Sequence, residues 1–364
     1  MKILHAINCL DTGGAENFII ELSKVMGKAH SADILVVTNS EDRLMYDRAA
    51  DLDVKVIELR LPNSRIIQTR KFLFSTKFRK KVKEILADYD VLNVHLFPTL
   101  YYFSLFNVIP KVFTQHNVAK GPRYDHSIFF PIESLIYRSY QEIITVSKKS
   151  YVSFSNFLKK LRVNTHISNI RNGIYHDWLM RKLKNTKEAG KLNILSVGRL
   201  EEQKNYAKLI EAVKDLPDVK VTVYGEGNQR NNLEKLIEKY GLENRFFLKG
   251  KNKITPELIQ SYDCFVSTSY YEGLSIAWLQ AMAAGLPLVV PEVAYPGEDL
   301  IDQTKSGFIY TNSEELVEIL KQLTNAEGTQ LNLMGQHAIA KVKNFSIADT
   351  ANEYLKVYQK VIEN

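Results

Sequence analysis

The sequence predicts an α/β protein made of two doubly wound, Rossmann-like domains. Three observations predict it. At 364 residues the chain is too long for one ordinary core, so two domains are expected. Short continuous apolar runs alternate with stretches of helical periodicity, the pattern of parallel sheets covered on both faces. These runs fall into two series, joined by the polar, turn-prone segment Asn172–Lys191.

In the first series, strands are expected at Lys2–Ile7, Ala32–Thr38, Val54–Leu59, Val91–His95, Lys111–Thr114 and Glu142–Val146, with a helix over Ala15–Met26. In the second, strands are expected at Asn193–Val197, Lys220–Tyr224, Phe246–Lys249, Cys264–Ser267, Pro287–Val290 and Gly307–Tyr310. Helices Asn205–Lys214, Gln229–Tyr240 and Glu314–Leu323 lie among them. The domains are therefore expected over 1–175 and 190–343. A last helix, Ser346–Ile362, carries Ala348, Ala351, Tyr354, Leu355, Tyr358 and Ile362 at helical spacing. It must pack on a core, and periodicity leaves open which one.

Hydrophobic residues at 45% and charged residues at 24% are ordinary for a soluble globular protein. Cys9 and Cys264 each stand inside an apolar run, which predicts buried free thiols in a reducing compartment. No Cys/His cluster has zinc-ligand spacing. The opening MKILHAINCLDTGG reads as one strand running into glycines, too short for a signal-peptide core. No apolar run reaches the roughly 18 residues needed to span a bilayer. A cytoplasmic location is expected.

The net charge of +7 is carried entirely by the first half of the chain, densest from Arg65 to Lys83, where no acid intervenes. Within RKFLFSTKFRKKVKEIL, Phe74, Phe78, Val82 and Leu86 stand four apart on one helical face, with basic residues over much of the rest. That pattern fits an interfacial helix on anionic lipid, peripheral on the inner membrane face. It equally fits an amphipathic helix packed on the first domain with a solvated basic exterior. Nucleic acid is a poorer partner, because no stacking aromatics alternate with the basic residues on the outer face.

In open parallel sheets, ligands bind beyond the carboxyl ends of the strands. Three loops there carry chemistry. In DTGGAENFII, Gly13 and Gly14 permit close backbone approach, and the following helix start can face an anion; a plain tight turn is the alternative. In ILSVGRLEEQKNYAKLIEA, a buried strand ends at Gly198, and Arg199 and Lys204 then offer a forked and a point cation suited to a diphosphate. The bland reading is a solvated pair beside Glu201 and Glu202. In STSYYEGLSIAWLQAMAAGLPLVV, Gly273 allows a sharp entry, Ser275 can cap the helix, and Gly285 with Pro287 ends it. Glu272 stands before that helix, as an acceptor from hydroxyls or as a dipole-stabilising acid, and Gln280 stands eight positions later, facing the same cleft or as an ordinary surface residue.

These motifs, together with Gly225 and Gly227 after VTVY, resemble the retaining GT-B glycosyltransferases of family 4 along essentially the whole chain. TQHN at 114–117, TVS at 145–147, RNG at 171–173 and SGF at 306–308 fit the weaker signposts of that family. The resemblance implies two Rossmann-like domains facing across a cleft, a nucleotide-sugar donor between them, and a final helix crossing back onto the first domain. It assigns Arg199 and Lys204 to the donor diphosphate, with the amides of Leu274 and Ser275, and places Glu272 near the donor-sugar hydroxyls. Gly13, Gly14, Gly198, Gly225, Gly227 and Gly273 would approach the donor through backbone. His116 resembles the first-domain histidine that faces the donor sugar; taken alone, it could be a satisfied core histidine.

The sequence departs from the family at three places. Gln280 stands where a second glutamate is usual, thought to hold the ribose. An amide still bonds a diol, losing on the order of 1 kcal/mol of charge assistance. Tyr175 stands where an acid commonly follows Asn172–Gly173, and Asp299 where Glu is usual. No metal is expected: DLD at 51–53 and DYD at 88–90 precede strands and read as loop acids, and the two cations would take a metal's place.

The resemblance implies a hexosyltransferase-type enzyme taking sugar from a nucleoside-diphosphate donor, UDP above all. The acceptor would be a glycan or lipid-linked glycan, as in capsule, exopolysaccharide or lipopolysaccharide synthesis. Acceptor loops are expected near Phe97–Tyr102 and Arg123–His126. The alternatives are a nucleotide-sugar epimerase or phosphorylase on the same fold, or a catalytically silent partner of a related transferase.

Overall fold

The structure is a computed structural model and describes residues 1–38, 40, 43–120, 124, 130–179 and 187–364. The chain divides into two compact units, one of Met1–Asn172 with Ile347–Asn364 and one of Gly173–Ser346.

The first unit is a seven-stranded, all-parallel sheet. Its strands are β1 (Lys2–Ile7), β2 (Ser31–Thr38), β3 (Val56–Leu61), β4 (Val91–His95), β5 (Lys111–Gln115), β6 (Glu142–Thr145) and β7 (His166–Asn169), in the order β3-β2-β1-β4-β5-β6-β7. The order reverses beside β1, which places the loops after β1 and β4 at the switch point where ligands gather in such sheets. Helix α1 (Gly14–Met26) follows β1 directly. β3 begins two residues later than expected because Asp53 turns with φ +56 and the Val54 amide bonds back to Ala49, so Val54 closes the preceding helix α2 (Leu44–Asp51). β7 has no apolar signature because it is a sheet edge, paired on one side only, with both end residues exposed and none fully buried.

The basic segment is not one helix but two, α3 (Arg65–Phe74) and α4 (Thr76–Ala87). Ser75 ends the first in an extended conformation and caps the second, its hydroxyl accepting from the Phe78 amide at 3.4 Å. The break removes Phe74 from the face expected of it. Phe74 is 76% exposed, and Phe72 takes the core position, stacked on Tyr102. Val82 and Leu86 are buried as expected.

The second unit is a six-stranded parallel sheet of β8 (Leu192–Val197), β9 (Val219–Tyr224), β10 (Phe246–Leu248), β11 (Cys264–Val266), β12 (Leu288–Pro291) and β13 (Gly307–Tyr310), in the order β10-β9-β8-β11-β12-β13. Part of the expected join belongs to this unit. The Ile174 amide bonds to the Phe345 carbonyl at 2.8 Å, and Trp178 is buried.

The last helix, Ile347–Glu363, packs on the first unit. Its Tyr354 and Tyr358 are fully buried. The Tyr358 hydroxyl accepts from Asn93 Nδ2 at 2.6 Å, deep in β4, and Thr350 Oγ1 donates to the Arg171 carbonyl at 2.9 Å. A Tyr-Tyr stripe at i, i+4 thus serves as a polar-tipped wedge.

Candidate functional site

In the second unit, β8 stops at Val197 and the chain turns at Gly198. Arg199 follows as an exposed side chain. A short 3₁₀ turn, Glu202–Lys204, brings Lys204 back over the strand end, and Asn205 in the left-handed region starts the helix Tyr206–Val213. A β-carbon at Gly198 would stand 3.0 Å from both Lys204 Cε and the Tyr206 hydroxyl, so glycine makes room for the returning lysine stem. Lys204 Nζ ends 2.5 Å from Glu272 Oε1, and Ser269 Oγ donates to that same oxygen at 2.7 Å. Glu272 is only 5% exposed, so this is a sheltered, doubly satisfied carboxylate. The turn after β8 and the turn after β11 are stitched further: Thr268 Oγ1 donates to the Lys204 carbonyl, Gln203 Nε2 to the Tyr271 carbonyl, and the Tyr270 amide to the Gln203 carbonyl. Beside this pair lies an open groove of about 500 Å³, whose lining includes Lys208, Thr268, Ser269 and Tyr270.

Gly225 and Gly227 have a structural reason. A β-carbon at Gly225 would sit 1.9 Å from the Gly198 carbonyl oxygen, and one at Gly227 would sit 2.4 Å from that of Leu200. The loops after β8 and β9 therefore run in backbone contact, tied by Gly198 N–H to the Tyr224 carbonyl and Leu200 N–H to the Glu226 carbonyl.

Gly273 and Leu274 are buried before the helix Ile276–Ala283. Ser275 occupies the N-cap position, but its side chain makes no cap hydrogen bond, contrary to expectation. Its φ of −69° and ψ of 121° give the extended cap backbone without directing the hydroxyl at the first-turn amides. Gly285, at φ +84, ends the helix in the left-handed region as its position predicts, and the Leu286 amide bonds back to the Ala281 carbonyl. Gln280 is buried at 7% exposure, so it is not the ordinary surface residue of the bland reading. Asp299 is exposed and pairs with Lys341, which also holds Asp302.

In the first unit, the turn after β1 carries Gly13 as the cap residue of α1. A β-carbon there would meet Glu16 Oε2 at 2.2 Å, so the carboxylate of the first helical turn lies against this backbone. His116 follows the end of β5 and stays partly open to solvent, edge to face with Phe18 at 5.9 Å between ring centres. Behind it stand two histidines that the sequence reading did not single out. His116 Nε2 lies 3.0 Å from His95 Nδ1, and His95 Nε2 lies 3.0 Å from His5 Nδ1. His5 and His95 are fully buried in β1 and β4. Burial pushes His5 down to about 3 and His116 down to about 4, and holds His95 well below the ordinary imidazole range. The signal was two histidines inside apolar strand runs, brought together by the pairing of His5 with Asn93. The weaker signposts have local explanations: Ser147 caps and boxes the helix Lys148–Leu161, and Gly307 passes tight against the Leu288 backbone. Of the acids at 88–90, Asp90 accepts from the Lys2 amide at 2.7 Å. Among the described residues, no group of three or more His, Cys, Asp or Glu is arranged to hold a metal. In the expected acceptor loops, Phe97 lies beneath the Arg65 guanidinium at 5.1 Å. Arg123–His126 falls outside the described residues, apart from Tyr124.

Comparison with known proteins follows the same division. The family model described as Glycosyltransferase Family 4 matches residues 12–178, and that described as Glycosyl transferases group 1 matches residues 181–340. A poly(ribitol-phosphate) alpha-N-acetylglucosaminyltransferase of Staphylococcus aureus is 31% identical over 135 residues, covering 35% of this chain and 27% of that protein. The GtfA subunit of the UDP-N-acetylglucosamine–peptide N-acetylglucosaminyltransferase of Streptococcus pneumoniae is 25% identical over 178 residues, covering 47% of this chain and 35% of the relative. The chain thus aligns with about a third or less of the length of these curated relatives. Among solved structures, Anabaena Alr3699/HepE in complex with UDP and glucose superposes with a TM-score of 0.81 at 19% identity, covering 99% of each chain. The pneumococcal O-GlcNAc transferase GtfA in complex with UDP and GlcNAc gives 0.73 at 13% identity, covering 100% of this chain and 99% of that one.

Proposed function

Because the chain belongs to the group 1 glycosyltransferases of the GT-B fold, we propose that it transfers a hexosyl unit, with retention, from a UDP-sugar to a glycan or lipid-linked glycan of a cell-surface polysaccharide. The observation that carries this reading is the Lys204–Glu272 pair at the strand ends, with exposed Arg199 in the same turn after β8 as Lys204. Two cations there suit a diphosphate, and a sheltered carboxylate suits sugar hydroxyls.

In this reading the acceptor hydroxyl oxygen bonds to the anomeric carbon while the bond from that carbon to the diphosphate oxygen breaks. The electron pair leaves on the diphosphate, which also takes the acceptor proton from the same face. Arg199 and Lys204 bind more strongly as that charge grows, which favours the transition state over the ground state. No metal ion is assigned a part, since the two side chains supply the positive charge. Lys204 meets the diphosphate by loosening its bond to Glu272, which frees the carboxylate oxygen to accept from the sugar. Gln280 is assigned to the ribose and His116 to the donor sugar. Relatives named as poly(ribitol-phosphate), poly(glycerol-phosphate) and lipopolysaccharide core biosynthesis glycosyltransferases support a polymer acceptor.

The exposed face of α3 supports docking on an anionic lipid surface. Ile66, Ile67, Leu73 and Phe74 stand in water beside Arg65, Arg70, Lys71 and Lys77. No helix of the described residues is long and apolar enough to cross a membrane.

A thermal-shift panel of nucleotide sugars tests the donor assignment, because a ligand at many times its dissociation constant raises the melting temperature clearly. UDP-sugars are expected to raise it, and GDP-, ADP- and CMP-sugars to leave it unchanged. No shift with any UDP-sugar would overturn the reading.

A further inference from the structure

We propose that His5 and His95 are positioning residues that hold His116 neutral with its proton on Nδ1, so that His116 presents an N–H donor, not a base. The function of that donor rests on the assignment of His116 to the donor sugar; the tautomer does not.

The argument is one of proton accounting. Each neutral imidazole has one N–H and one bare nitrogen. The central ring, His95, has both nitrogens engaged, Nε2 with His5 and Nδ1 with His116, each at 3.0 Å. If His95 carries its proton on Nδ1, it donates to His116 Nε2, and His5 Nδ1 must donate to His95 Nε2. Every proton then points toward His116, whose own proton is left on Nδ1. If His95 is protonated on Nε2 instead, both bonds reverse, and the proton of His5 is forced onto Nε2. The three rings therefore have two arrangements and switch only together.

The buried end decides between them. His5 Nε2 is fully enclosed and has no protein partner among the described residues. The reversed arrangement would bury an orphaned N–H, which native structures very rarely tolerate, whereas an unpaired acceptor is the less uncommon defect. The groups around the chain do not supply a rescue. Tyr358 of the last helix approaches His5 ring to ring at 6.3 Å, and its hydroxyl accepts from Asn93. Phe18 borders His116. Asp33 acts on His5 only through its field, its carboxylate accepting from the Tyr89 hydroxyl at 2.6 Å. Burial lowers the proton affinity of all three rings, which keeps the chain neutral at ordinary pH. A donor at Nδ1 suits a sugar hydroxyl oxygen, and it cannot deprotonate the acceptor, in keeping with a leaving group that takes the proton itself.

The test is a ring-nitrogen spectrum of the unliganded full chain, labelled with ¹⁵N at histidine only, at neutral pH. His116 and His95 are expected to show a protonated Nδ1 and a bare Nε2. His95→Asn, whose amide N–H can take the place of Nδ1–H, should preserve the His116 signature, and His95→Phe should lose it to a mixture of tautomers. A wild-type His116 protonated on Nε2, evenly mixed or charged would overturn the inference, even if the variants fail to fold. Because no ligand is present, the spectrum answers independently of whether the chain binds any UDP-sugar.

Discussion

Lys204 Nζ and Glu272 Oε1 lie 2.5 Å apart, joining two turns 68 residues distant in sequence. The pair ties the proposed ligand groups to the fold, so substitutions there report on both. Lys204→Ala leaves a carboxylate of 7% side-chain exposure with Ser269 as its remaining partner. It should cost on the order of 3 kcal/mol of stability, so the activity of this variant is to be measured alongside its thermal melt. The double variant Lys204→Met with Glu272→Gln should recover most of that loss in a thermal melt.

Arg199→Ala is the cleaner probe, because its side chain is exposed. Stability should change by less than about 0.5 kcal/mol. The melting-temperature rise produced by UDP should shrink to a small fraction of the wild-type value. An undiminished rise would remove Arg199 from the diphosphate site.

Acid should unfold the first unit early. The three imidazoles have folded-state affinities below the ordinary value near 6.5, with His116 at about 4 and His5 at about 3. Between those limits the unfolded chain binds more protons than the folded one, so stability is full above about 6.5 and falls as the pH drops toward 4. Three such groups give a slope of up to roughly 4 kcal/mol per pH unit at its steepest, with the least from partly open His116. His5→Phe should flatten the curve measured by urea titration across that range.

Gly225→Ala should be the most damaging single methyl in the second unit, because the new carbon would stand 1.9 Å from the Gly198 carbonyl oxygen. A loss of about 3 kcal/mol or more is expected, with the clash falling on backbone that cannot rotate away. Equilibrium unfolding checks it; a cost under 1 kcal/mol would mean that the two loops separate freely.

Vesicle binding should depend on the outer face of α3. Phe74→Ser and Ile66→Ser remove side chains that are 76% and 73% exposed, so the fold should be unaffected. Flotation with phosphatidylglycerol vesicles should fall several-fold, and flotation with neutral vesicles should be negligible throughout.

The sequence by itself determined the two sheets, most strand positions and the packing stripe of the last helix, because continuous apolar runs and helical spacing are local properties of a chain. It also supplied the strand-end glycines and cations, since Gly198, Arg199 and Lys204 declare themselves by type and order. Only the tertiary structure decided which of these groups meet. That Lys204 closes on Glu272, that Gly225 serves a backbone contact with Gly198, that Ser75 turns Phe74 outward, and that His5 and His95 stand in line behind His116 all depend on strand order and on turns between distant segments. A hydrogen bond of 3 Å is fixed by the pairing of whole strands, and no window of sequence contains that information.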